Sequence, residues 1–185
     1  MIIGETQYHR RGITYTVRSA QHRDAVLLSP LRLAIDGETE YLDREPGEAF
    51  MSVADFESLI ATDSRAPGNL FLVAEVDGQL VGFSRCQGSD LRRLSHKVEF
   101  GVCVRQAFWG YGIGRALLAQ SIDWAQASHI EKIALSVLET NQKAIEVYQS
   151  AGFEVEGRLK NDKKLADGRY CATLIMGRGC KPAAK

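Results

Sequence analysis

Phe108 to Leu118 reads FWGYGIGRALL. Gly110, Gly112 and Gly114 alternate with other residues, and the chain then passes into leucine and alanine. Glycine frees the backbone and lets a ligand approach it closely. A helix start presents unpaired N–H groups at the positive end of its dipole. The segment therefore reads as an anion cradle, with a bare glycine turn that merely starts a helix as the alternative. Two common cradles fail on spacing. A G-x-G-x-x-G fingerprint begun at Gly110 needs glycine where Arg115 stands, and one begun at Gly112 needs it where Leu117 stands. Glu139 does lie roughly where a ribose-binding acid belongs, so the dinucleotide reading keeps one point in its favour. No Lys-Ser/Thr pair closes the loop as a P-loop requires.

The elements around the loop follow from periodicity. VEFGVCV precedes it as a strand, and the helix after it runs to about Ser128 with Ile113, Leu117, Leu118, Ile122 and Trp124 as a broad apolar stripe. EKIALSVL is a buried strand, NQKAIEVYQSAG a short helix closed by Gly152, and FEVEGRL and RYCATLIMG are two final strands. Upstream, residues 1 to about 12 read as a flexible leader and GITYTV as a strand. Ser19 is the expected cap of a helix carrying Val26, Leu27, Leu31 and Leu33, kinked or broken at Pro30. DGETEYLDREPGEAF is a long polar loop, and Ser52 opens a second short helix. NLFLVAEV and QLVGFSRC meet at Asp77-Gly78, a hairpin signal. The expected fold class is α/β of the α+β type: one mixed sheet with antiparallel parts, flanked by helices, in a single domain over 13–178 with a tail at 179–185.

The 185 residues suit one domain, and 45% apolar with 25% charged residues is ordinary globular composition. Twenty-three basic residues balance twenty-three acidic ones, which removes the electrostatic reason to expect nucleic acid or an anionic membrane as partner. Cys86, Cys103, Cys171 and Cys180 are not spaced like a metal site or a redox pair, so no metal is expected and core thiols are, with Cys180 a possible exposed thiol in the tail. MIIGETQYHRRG is too polar for a secretory signal, and no apolar run reaches membrane-spanning length. A cytoplasmic protein is the expectation.

The glycine segment resembles the acetyl-CoA loop of the GNAT superfamily of N-acetyltransferases, usually Q/R-x-x-G-x-G/A. Trp109 stands at the Q/R position, a departure, followed by Gly110, Tyr111, Gly112, Ile113 and Gly114. LSVLETNQKAIEVYQSAGFEVEGRL resembles the family's next block: Asn141 and Tyr148 stand seven residues apart, and AGF follows, Ala151 to Phe153. The resemblance covers about residues 13 to 178 and is most specific from Val98 to Phe153.

The resemblance implies a mostly antiparallel sheet whose fourth and fifth strands splay, with acetyl-CoA as co-substrate in the gap. It implies direct transfer of the acetyl group to a primary amine, of a small molecule or a protein, in a ternary complex. The N–H groups of Gly110 to Arg115, with the Arg115 charge, would hold the pyrophosphate. Val102, Cys103 and Val104 would bond the pantetheine arm, one N–H polarising the thioester. Tyr148 would donate a proton or hydrogen bond to the leaving thiolate, and Asn141 would bond the coenzyme arm, cap its helix, or both. The strand glutamate that some members use as base is replaced by Ser136, so Glu99 is the candidate base, with a solvated carboxylate as the alternative. Glu38 and Tyr41 of the acidic loop are the candidate acceptor-binding residues, and its carboxylates suit a cationic amine. A homodimer is expected by family habit. A catalytically silent coenzyme-binding sensor is the alternative function, kept open by Ser136.

Overall fold

The computed structural model describes residues 2–180. Eight strands form one sheet: β1 (Thr6–Arg10), β2 (Ile13–Ser19), β3 (Leu70–Val76), β4 (Gln79–Gln87), β5 (Lys97–Val104), β6 (Lys132–Leu138), β7 (Glu154–Lys164) and β8 (Tyr170–Gly179). Their spatial order is β1-β2-β3-β4-β5-β6-β8-β7. Only β5 and β6 run parallel; every other neighbouring pair is antiparallel. Four helices complete the fold: α1 (Ala25–Asp36), α2 (Val53–Arg65), α3 (Ile113–Ala127) and α4 (Gln142–Ser150).

Strand alternation divides the apolar residues between two layers. Val17, Leu72, Val98, Phe100, Ile133, Leu135 and Met176 pack on one face with Leu117 and Leu118 of α3 and Tyr148 of α4. Phe71, Val73 and Leu80 pack on the other face with Leu28, Leu31 and Ile35 of α1 and Phe56 and Ile60 of α2. The Asp77-Gly78 turn joins β3 to β4 with φ of 47° and 79°, the left-handed pair of a type I′ hairpin.

The parallel pair is short. Lys97, Val98 and Glu99 register with Lys132, Ile133 and Ala134, and the pairing ends there. From Phe100 to Val104, β5 continues against β4, while Leu135 to Leu138 continue against β8. The two strands part into a wedge, as expected for the fourth and fifth strands of the sequence count.

Several expectations need correction. The segment expected to be a flexible leader forms β1, an edge strand registered from Thr6↔Val17 to Arg10↔Ile13. Ser19 caps nothing: it lies buried at the end of β2, where its Oγ accepts the Ile3 N–H at 2.8 Å. The entry to α1 is instead a single 3-10 turn, His22–Asp24, and the Asp24 carboxylate accepts the Gln21 N–H at 2.7 Å. Helix α1 runs through Pro30 without a break, and Val26, Leu27 and Leu33 point outward while Leu28, Leu31 and Ile35 are buried. Cys180 is buried in the α3-side core rather than exposed. Tail residues 181–185 lie outside the described residues.

Candidate active site

The wedge begins at Glu99–Ala134, with Tyr148 against Phe100 just past that rung. The glycine loop follows β5 directly, through a single 3-10 turn, Gln106–Phe108. Gly110 and Gly112 have φ of 85° and 83°, so both need glycine, and Gly112 is the N-cap of α3. The Gly112 carbonyl accepts the Ala116 N–H at 2.9 Å, which leaves the N–H groups before Ala116 outside the helical ladder. Trp109, the residue out of consensus, donates its indole Nε1–H to the Val104 carbonyl at 2.8 Å. That bond folds the loop back on the end of β5 and takes up one backbone acceptor of the strand assigned to the pantetheine arm. Ile113 is buried in the core, Gly114 faces Val104 with 3.9 Å from its Cβ position to Cγ2, Tyr111 sits 6.5 Å from the Phe108 ring, and Arg115 is exposed. Ile113 and Gly114 thus offer backbone alone.

Along β5, Val102 and Val104 turn to the α3 side and Cys103 to the α1–α2 side. Desolvation pushes the Cys103 thiol up to about 12, with Arg44, Asp36 and Arg32 nearby. Gly101 has nothing within 4 Å of its Cβ position, so the strand there is open.

Tyr148 reaches the wedge from α4. Its ring meets Phe100, the first residue of β5 past the parallel pairing, edge-on at 6.5 Å, and Phe153 at 5.9 Å. Among the described residues its hydroxyl has no hydrogen-bond partner. Burial, then the nearby Cys103 thiol, pushes its pKa up to about 12. The phenol therefore keeps its proton throughout the neutral range. Asn141 is the N-cap of α4, its Oδ1 accepting the Ala144 N–H at 3.3 Å. Ser136 is exposed, on the face of β6 opposite buried Leu135 and Val137. Glu99 is exposed, on the face of β5 opposite buried Val98 and Phe100, at the last paired rung before the wedge opens.

The loop from Gly37 to Ser52 has no helix or strand. Two of its five carboxylates, Glu38 and Asp43, and its arginine, Arg44, are in ion pairs. Arg44 binds Asp36 at 2.9 and 3.1 Å, Arg105 binds Glu38 at 2.6 Å, and Lys163 of β7 pairs with Asp43. The other Glu38 oxygen accepts the Gln106 N–H at 2.7 Å. Glu38 is therefore a strap between this loop and the start of the glycine loop, and with Asp43 it is one of two loop carboxylates already matched by a cation. Glu38→Gln should raise the KM of acetyl-CoA and acceptor together by about 2–5-fold, the scale of one partly exposed ion pair. Steady-state kinetics with each reactant varied checks this; a change in the acceptor KM alone would make Glu38 an acceptor ligand instead. Tyr41 lies 6.4 Å from Trp109, rings near parallel, so the aromatic of this loop stands against that of the glycine loop.

Glu139, which kept the dinucleotide reading in play, commits both oxygens to Arg158 at 2.7 Å each. The sequence pattern gave no place to Arg105 or to the β1–β2 hairpin, whose Tyr15 hydroxyl lies 3.6 Å from the Cβ position of Gly112. The hairpin had a signal: YHR and ITYTV alternate on either side of Arg11-Gly12.

Residues 36–153 match the model of the acetyltransferase (GNAT) family. Over 113 residues the chain is 34% identical to the L-amino acid N-acetyltransferase AaaT of Escherichia coli, covering 60% of this chain and 69% of that protein. An acetyltransferase of the GNAT family from Streptococcus pneumoniae superposes with a TM-score of 0.86 at 23% identity, over 90% of this chain and 99% of that one. The yncA protein of Salmonella typhimurium, solved with its cofactor acetyl-CoA, superposes with a TM-score of 0.80 at 20% identity, over 92% of this chain and 96% of that one. Among the described residues no helix is long and apolar enough to cross a membrane. With the family's sheet, its wedge and its two sequence blocks all present, the chain belongs to the acetyltransferase (GNAT) family and is an acyltransferase acting on amino groups.

Proposed function

We propose that the protein moves the acetyl group of acetyl-CoA to a primary amine by direct attack, both reactants being bound at once. The observation that carries this is the parting of β5 from β6 after Glu99, with the glycine loop at the end of the same strand and Tyr148 against its first freed residue. The free N–H groups of Gly110 to Arg115, and the Arg115 charge, take the pyrophosphate. The freed edge of β5 at Val102 and Cys103 bonds the pantetheine arm, with Asn141 opposite, and one N–H of that edge polarises the thioester carbonyl. The amine nitrogen attacks the carbonyl carbon, the C–N bond forms, and the C–S electron pair leaves on sulfur. Tyr148 meets that charge. A phenol near 12 is some three units weaker as an acid than an ordinary thiol near 8.5, so its part is to donate a hydrogen bond to the sulfur rather than surrender its proton. The ammonium proton leaves to Glu99 directly or through water, since Glu99 is exposed at the wedge. Tyr41 and Trp109 wall the acceptor side, which Glu38 and Arg105 hold in place.

The acceptor to try first is an amino acid, the class in the name of the 34% identical relative. A homodimer and a cytoplasmic location belong to the same proposal. The test is release of free thiol from acetyl-CoA across a panel of amino acids, polyamines and peptide N-termini. Amine-dependent release is expected with at least one class. Tight acetyl-CoA binding with no release above the amine-free rate would overturn the transfer reading in favour of a silent coenzyme sensor.

A further inference from the structure

We propose that Arg11, at the tip of the β1–β2 hairpin, binds a phosphate group of the coenzyme; this rests on the acetyl-CoA reading above. Arg10 and Ile13 are paired, so Arg11 and Gly12 alone make the turn, with φ of 48° and 81°. The first place of such a turn favours Asn, Asp or Gly, and the β3–β4 hairpin of this chain has Asp77 there. A long side chain in left-handed backbone is unfavourable, which raises the question of what retains arginine at this place.

Its direction supplies an answer. Arg11 Nη1 lies 3.3 Å from the Cβ position of Gly110, the first left-handed glycine of the loop assigned to the pyrophosphate. The hairpin is held there by its own packing. Tyr8 stacks on Tyr15 at 5.2 Å with 14° between the rings, Tyr15 reaches Gly112, and Gln120 of α3 donates to the Tyr8 hydroxyl at 2.9 Å. Among the described residues Arg11 has no carboxylate partner, whereas Arg18, Arg44, Arg85, Arg105 and Arg158 are all in ion pairs. An exposed, unpaired guanidinium beside free N–H groups is a second wall for an anion. Its planar fork matches two oxygens of one phosphate. The diphosphate and the 3′-phosphate of coenzyme A offer the same chemistry, and the ligands below separate them.

The experiment is calorimetric titration of the full chain and its Arg11→Gly and Arg11→Lys variants. The ligands are acetyl-CoA, acetyl-dephospho-CoA, which lacks the 3′-phosphate, and S-acetylpantetheine, which lacks every phosphate. Arg11→Gly relaxes the turn, so its Tm should rise by about 2–4 °C while its Kd for acetyl-CoA weakens by about tenfold or more. Arg11→Lys should lie between, keeping the charge without the fork. Arg92→Ala, an exposed loop arginine, controls for net charge and should leave every Kd unchanged. Loss on both phosphorylated ligands alone supports a diphosphate contact, and loss on acetyl-CoA alone supports a 3′-phosphate contact. Equal loss on all three ligands, or loss on none, overturns the proposal. A wild-type chain that binds none of the three overturns the coenzyme reading itself, and this inference with it.

Discussion

Tyr148→Phe is expected to lower kcat by about 10- to 100-fold while the KM of acetyl-CoA stays within about twofold, the signature of a hydrogen bond made as sulfur takes on charge. The substitution removes one oxygen and keeps the ring against Phe100 and Phe153. Because the hydroxyl has no hydrogen-bond partner among the described residues, nothing is orphaned and the Tm should not fall. The pH profile adds a second reading. With the phenol pushed up to about 12 by burial, its ionisation contributes no alkaline limb to kcat below about pH 10. A fall between pH 8 and 10 that vanished in the phenylalanine variant would show a phenol titrating far lower than its burial implies. An unchanged kcat would remove Tyr148 from the mechanism.

Arg18→Met should cost several kcal/mol of stability, about as much as emptying a large core site. Arg18 is buried and holds Asp24 at 2.7 and 2.9 Å and Glu75 at 2.8 Å. Burial raises the Asp24 carboxyl, but the Arg18 hydrogen bonds and the Gln21 N–H override it and hold the group below its ordinary value. Removing the guanidinium leaves that buried carboxylate without its cation, a loss of about 3–5 kcal/mol. For a chain of this length that lowers Tm by about 6–20 °C. The sign against pH follows from the depressed carboxyl. The pair's stabilisation is present above the unfolded carboxylate value near 3.9 and is lost as pH falls through the lower folded value. Thermal melts of the two proteins should therefore differ most near pH 7 and converge in acid. A Tm difference under about 2 °C at pH 7 would mean that Asp24 is stabilised by other means.

The glycine loop and the Asn141–Tyr148 helix were legible in the sequence because their requirements are local. Gly110 and Gly112 sit at positive φ, and Asn141 and Tyr148 share one helix, so spacing along the chain reports spacing in space. The contacts of the Gly37 to Ser52 loop were not. Glu38, Asp43 and their partners Arg105 and Lys163 are brought together by tertiary folding across 67 and 120 residues, and no window of sequence shows that their charges cancel. The pattern from Met1 to Gly12 misled for another reason. The short edge strand β1 carries few apolar residues, so its weak alternation resembles a disordered start until its pairing with β2 is seen. Ser19 satisfied the composition of a cap, but the chain places its cap at the next turn, through Asp24.

The sheet also does something that a list of its residues does not convey. The glycine loop and α3 lie on one face, and α1 with the Gly37 to Ser52 loop lies on the other. On the proposed reading the sheet is a partition, and the parting of β5 and β6 is a window cut through it. Coenzyme is served from one room and amine from the other, and only the thioester carbonyl stands in the opening. Neither product then has to wait for the other to clear a shared doorway, so the order of release is left to relative affinity rather than to obstruction.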